Sequence, residues 1–109
     1  MRSEQRVVVA EDRDARRFDI VVGGEQAGAA HYRQHGDIRI FTHTVVLPSF
    51  AHQGLGGILA RAALDDARAA GYLVVPQCPF IEAYIREHRE YLDIVESSQR
   101  ARFVSDSSS

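Results

Sequence analysis

Three glycines, Gly54, Gly56 and Gly57, fall within four residues of the stretch SFAHQGLGGILARAAL, and a run of helix formers follows with no further glycine until Gly71. Glycine inside a helix costs roughly 1 kcal/mol relative to alanine, so a cluster at the mouth of one needs a reason beyond helix formation. A helix N-terminus leaves several N–H groups unpaired and carries about half a positive charge. Without Cβ atoms in the way, a pyrophosphate can reach those groups. The dipole contributes only ~0.3–1 kcal/mol at an exposed position, so a ligand bound there must be held elsewhere as well. The alternative is a tight strand-to-helix connection with close packing. A P-loop is excluded because Ile58 and Leu59 follow Gly57 where Lys and Ser or Thr would be required. A dinucleotide fold is excluded because an antiparallel meander, not a single early strand, precedes the turn.

Cys78 is the only thiol, set between Gln77 and Pro79. Pro79 suits the first position of a helix, which makes Cys78 its N-cap, where the helix field favours thiolate over thiol. The residue is then either a nucleophile that accepts an acyl group or a small buried side chain. His31 and His35 are four apart, a ligand spacing on a helix. They fall on a strand and its turn, where four residues span ~13 Å, and no Cys or carboxylate completes a set, so no metal site is expected.

The elements that must carry these residues are legible in the patterning. Val7 to Val9 are a β-branched run, and RRFDIVVGGEQAGAAHYRQHGDIRIFTHTVVLP reads as three strands joined by turns at Gly23-Gly24 and His35-Gly36-Asp37. From Gly54 to Ala70 the apolar positions Leu55, Ile58, Leu59, Ala62 and Ala63 follow helical spacing, with Asp66 the one poor fit in their arc. Gly71 caps that helix, and YLVVP is a short buried strand over Tyr72–Val75. A second helix begins at Pro79 with the stripe Phe80, Ile81, Tyr84, Ile85 and His88. YLDIVES is expected to add a last strand, and residues 97–109 a flexible tail. The fold class is α+β (mixed α/β), with a sheet that is antiparallel first and parallel at Tyr72–Val75.

The chain has 109 residues, enough for one core and too few for two. Thirteen basic residues, all arginine, balance 15 acidic ones, so no overall field calls for nucleic acid or an acidic membrane surface. No apolar run approaches the ~20 residues of a membrane span, a single cysteine excludes an internal disulfide, and the N-terminus lacks a signal-peptide core. A cytoplasmic protein, monomeric or weakly dimeric, is expected.

The stretch from Phe41 to Val95 resembles the small single-domain members of the GNAT superfamily of N-acetyltransferases, and the earlier strands fit the same layout over about residues 6–96. The resemblance is carried by His43-Thr44 before the turn, Gln53-Gly54-Leu55-Gly56 opening the helix, and Pro76 to Tyr91 with its Cys-Pro pair. It implies acetyl-CoA as donor and an amine as acceptor, either a small molecule or a protein lysine. By the same resemblance, the loop His52, Gln53, Gly54, Leu55, Gly56 and Gly57 would bind the pyrophosphate of coenzyme A. His43, Thr44, Val45 and Val46 would line its pantetheine arm. The superfamily signature begins with Arg or Gln at the position of Ala51, which removes a side chain but no backbone donor. Val45 stands where relatives often carry a glutamate, so a base at that position is not available.

Transfer to an amine needs a neutral nitrogen and a proton for the departing thiolate. Neutralising a free lysine at pH 7 costs about 4.6 kcal/mol. His43 as general base, desolvation of the amine, or a less basic substrate could each offset it. Tyr84 falls where the superfamily has its general acid, although its place on an apolar stripe suits a core residue equally. Direct attack on the thioester is the superfamily's usual route, with Cys78 lining the slot; a ping-pong route would acetylate Cys78. A non-catalytic acyl-CoA-binding module on the same fold is the alternative, distinguished by binding without thiol release.

Overall fold

The computed structural model describes residues 6–107. Its elements run β1 (Val7–Asp12), β2 (Arg17–Val22), β3 (Glu25–His35), β4 (Ile38–Val46), α1 (Leu55–Ala70), β5 (Leu73–Pro76), α2 (Pro79–Glu87) and α3 (Ser97–Ser107), with short 3-10 turns at Pro48–Phe50 and Arg89–Ile94. The five strands lie in sequence order in one sheet. The first three pairings are antiparallel and β4–β5 is parallel, as the patterning implies. Glycines in the left-handed region close the two hairpins predicted from Gly23-Gly24 and Gly36. The parallel pair needs a crossover, and α1 supplies it.

Alternation in β2 buries Phe18, Ile20 and Val22 toward the helices. Onto them α1 lays Leu55, Leu59, Ala60, Ala63, Leu64 and Ala67, its three alanines allowing close approach to the sheet. Gly71 ends α1 at φ 79°, its N–H donating to the Ala67 and Arg68 carbonyls. Asp66, the misfit in the apolar arc, accepts a hydrogen bond from Arg39 at 3.1 Å. Arg39 is buried at 4 % exposure. Its guanidinium lies 4.0 Å from the centre of the Tyr32 ring and 4.7 Å from that of Tyr72, while Nε donates to Gln34 at 2.7 Å. Glu11 pairs with it from β1 and also accepts the Tyr32 hydroxyl. A buried cation of this kind is tolerated only with such a full set of partners, and removing one partner typically costs about 3–5 kcal/mol.

Two expectations need correction. YLDIVES forms no strand: Arg89–Ile94 is a 3-10 turn, and sheet contact is limited to a single parallel bridge between Val95 and Val74. The tail from residue 97 is helical. Ser97–Ser107 forms α3, whose Phe103 is fully buried in the core beneath the Arg86 guanidinium. One large apolar side chain in a polar, serine-rich segment gives a weak periodic signal, so pattern alone missed it. α2 also differs from its predicted stripe, since Ile81 and Ile85 are buried but Phe80 is 42 % exposed.

Replacing Phe103 with alanine is expected to lower the free energy of unfolding by about 3–5 kcal/mol. Denaturant unfolding followed by circular dichroism measures this; a loss below 1 kcal/mol would return the segment to a frayed tail.

Candidate active site

Between two consecutive pairs of the β3–β4 ladder, β4 carries one residue more than its partner. Tyr32 pairs with Phe41 and His31 with His43, leaving Thr42 as a bulge. Because side chains alternate, the extra residue reverses the faces beyond it. Before the bulge, Arg39 and Phe41 point into the core under α1; after it, Thr44 and Val46 take that side, and His43 and Val45 turn to the opposite face. Beyond Phe41↔Pro76 the pairing with β5 also ends, so Thr42–Val46 has no β5 partner. The Cys78 N–H donates to the Phe41 carbonyl at 2.9 Å as the last link before Pro79 turns the chain into α2. The strands thus fork, with the start of α2 in the fork.

On the helix side of the fork, Thr44 Oγ1 lies 3.3 Å from Cys78 Sγ. Cys78 is the N-cap of α2, as its position before Pro79 predicts, and is 2 % exposed. The mouth of α1 is close by. Gly54 is its N-cap at φ 77°, a conformation that glycine adopts without strain, and the first helical bond is Ile58 N–H to the Gly54 carbonyl. Leu55, Gly56 and Gly57 therefore present N–H groups with no intrahelical acceptor, Gly54 has no side chain to cap them, and no acidic residue lies in the first turn. His52 adopts φ 66°, a left-handed conformation uncommon outside glycine, and shapes the loop leading in.

The structure gives Gly56 a packing role. A Cβ there would come within 2.7 Å of the Phe80 ring, so the absent side chain makes room for α2. A groove of about 450 Å³ runs between the two helices, with Gly54, Gly57, Ile58 and Arg61 on one wall and Phe80, Tyr84, Glu87 and His88 on the other. Tyr84 is half-buried there, stacked on His88 at 3.9 Å between ring centres. His88 is held in turn by Nδ1, which donates to the Tyr84 carbonyl at 2.9 Å. Burial pushes the Tyr84 phenol above its ordinary 10, against a smaller opposing pull from Arg61. Tyr84 is therefore protonated at neutral pH, and it lines a groove as well as packing.

On the opposite face, His31 and His43 stack cross-strand with ring centres 4.3 Å apart. Thr42 Oγ1 is within 3.3 Å of His43 Nδ1 and donates to the His31 carbonyl at 3.2 Å. A cleft of about 340 Å³ adjoins the pair, lined by Gln26, Gly28, Ala29, His31, Val45 and Leu47. Among the described residues no group of three or more His, Cys, Asp or Glu could hold a metal ion.

The family model of the GCN5-related N-acetyl-transferases matches residues 17–94. The chain belongs to this family. The solution structure of a GCN5-like protein from Staphylococcus aureus superposes with a TM-score of 0.64 at 20 % identity, covering 82 % of this chain and 87 % of that one, which shows a shared fold. No curated protein matches the chain significantly. The mixed sheet with its crossover helix is thus the fold of an acetyltransferase of the GCN5-related family, and acetyl transfer is the activity that the family supports.

Within this member of the family the sequence-derived candidates fall into two groups. Gln53–Gly57, Thr44, Val46, Cys78 and Tyr84 gather on the helix side of the fork, whereas His43 and Val45 lie on the other face. Sequence reading missed His31 as a partner of His43, Thr42 as the bulge, and Phe80 as the neighbour of Gly56. Each depends on a register or packing that local pattern does not carry.

Burial first, then the charges of His43 and Arg17, hold the His31 imidazole below its ordinary 6.5, with Asp19 opposing. Its neutral form is favoured in the folded state. His31 therefore contributes stability that is complete above about pH 6.5 and is lost as pH falls through its lower folded value. Urea midpoints measured from pH 7.5 to 4.5 are expected to fall less steeply for His31→Gln than for wild type; equal slopes would contradict the assignment.

Proposed function

We propose that the protein transfers an acetyl group from acetyl-CoA to an amine by direct attack on the thioester. The observation that carries this reading is the fork between β4 and β5, which joins an anion-ready helix mouth and a protonated tyrosine on one side to an exposed histidine on the other. The fit to coenzyme A rests on donor chemistry. Leu55, Gly56 and Gly57 offer three N–H groups without intrahelical acceptors, and Gln53 and His52 form the approach. Arg61, four residues beyond Gly57 on the same groove, adds a cation for a phosphate. The free backbone edge of His43, Thr44, Val45 and Val46 can hydrogen-bond an extended amide-bearing arm as a strand would.

The two faces divide the proton transfers. His43 Nε2 takes the proton from the attacking amine nitrogen as its bond to the acetyl carbon forms. The C–S bond breaks with its electron pair going to sulfur, which receives a proton from the Tyr84 hydroxyl. Cys78, buried against Thr44, lines the slot. The cleft beside His31 and Val45 suits the carbon chain of the acceptor, a small amine or a lysine side chain, and removal from water there offsets the cost of a neutral amine.

Released thiol, assayed with acetyl-CoA and a panel of amines, tests the reading. Turnover supports it, while binding of coenzyme A without turnover would favour a binding module. Tyr84→Phe is expected to lower kcat about a hundredfold or more, with coenzyme A affinity and melting temperature nearly unchanged. Wild-type kcat in that variant, or a large loss of stability with normal turnover per folded molecule, would make Tyr84 a packing residue.

A further inference from the structure

The hydrogen bookkeeping around Thr42 fixes more than the place of His43. The His31 carbonyl can only accept, so the Thr42 hydroxyl spends its single hydrogen on it at 3.2 Å. Toward His43 Nδ1, at 3.3 Å, the same oxygen then has only lone pairs to offer. The contact is a hydrogen bond only if Nδ1 carries the proton. In a neutral imidazole that leaves Nε2 bare. The second restraint is His31, whose ring lies parallel to that of His43 within 13° at a centroid separation of 4.3 Å and fixes its plane. The two strands deliver both restraints together, because the bulge puts Thr42 beside the His31↔His43 pair. Arg17 and Asp19 face His31 from β2 and lie paired with each other at 2.8 Å.

We infer that Thr42 and His31 are positioning residues that hold neutral His43 as the Nδ1–H tautomer, with its Nε2 lone pair presented on the face away from the helices. Thr42 selects the tautomer and His31 the plane. The catalytic consequence rests on the acetyl-transfer reading, since a bare Nε2 is the form able to accept the amine proton. The tautomer itself does not rest on that reading. The inference also gives the bulge residue a chemical requirement: a hydroxyl is needed at position 42, not merely a β-branched side chain.

Long-range proton–nitrogen NMR correlations of the imidazoles in the intact protein, at a pH where His43 is neutral and with His43→Gln for assignment, read the tautomer directly. Wild type is expected to show a protonated Nδ1 and a bare Nε2. Thr42→Val, isosteric but without the hydroxyl, is expected to move toward the Nε2–H form and to lose kcat by about tenfold or more at unchanged KM for acetyl-CoA. Thr42→Ser, which restores the hydroxyl, should recover both. A protonated Nε2 in wild type overturns the inference, as does a Thr42→Val protein with the wild-type tautomer. An altered tautomer with unaltered kcat overturns the catalytic consequence. The wild-type spectrum decides the tautomer even if Thr42→Val fails to fold. If wild type transfers no acetyl group yet shows the Nδ1–H form, the acetyl-transfer reading fails and the tautomer assignment stands.

Discussion

A single extra residue in β4 governs the arrangement of the rest. If β4 continued without the Thr42 bulge, strict alternation would send His43 and Val45 into the core behind Arg39 and Phe41, and Thr44 away from Cys78. With the bulge, an imidazole leaves the core, a small hydroxyl faces the start of α2, and the faces change over within one residue of the last β4–β5 pair at Phe41↔Pro76. The fork and the reversal coincide in space. Side chains on the two faces of one sheet thereby flank one opening, which a regular strand pair would have sealed with hydrogen bonds.

The rigidity of that opening comes from the core on one side. α1, α2 and α3 all contribute to one cluster with Phe18, Ile20, Tyr32 and Phe41. Arg39, clamped between aromatic rings and paired with Glu11 and Asp66, ties β1, β4 and α1 together at the end of the sheet away from the fork. α2 is fixed at its own start by Pro79 and by the Cys78–Phe41 link. Phe80 lies against Gly56, so the helix mouth and the start of α2 are in direct register.

Much of this was legible in the residues themselves. Period-2 alternation, glycine turns, the helical run after Gly54 and the Pro79 start are local signals with local causes, and five of the six expected strands and both expected helices are present. The Gln-Gly-Leu-Gly stretch located the mouth of α1, and the Cys-Pro pair located the N-cap of α2, because such motifs act through adjacent backbone. What pattern could not supply is set by non-local pairing. The bulge leaves no mark in the run FTHTVV, so neither the face of His43 nor its stack with His31 could be read. α3 was missed because one large apolar side chain, Phe103, anchors a largely polar segment. Asp66 looked like an error of pattern until Arg39, 27 residues away in sequence, was placed beside it.

We propose that the fork and the helix mouth form one continuous seat for coenzyme A. Amide chemical shifts recorded while coenzyme A is added to the folded protein test it most directly. The account predicts the largest changes at Gln53–Gly57 and at Thr44–Val46 together, with small changes along β1 and β2. Changes confined to other surfaces, or no saturable change at the mouth of α1, would contradict it.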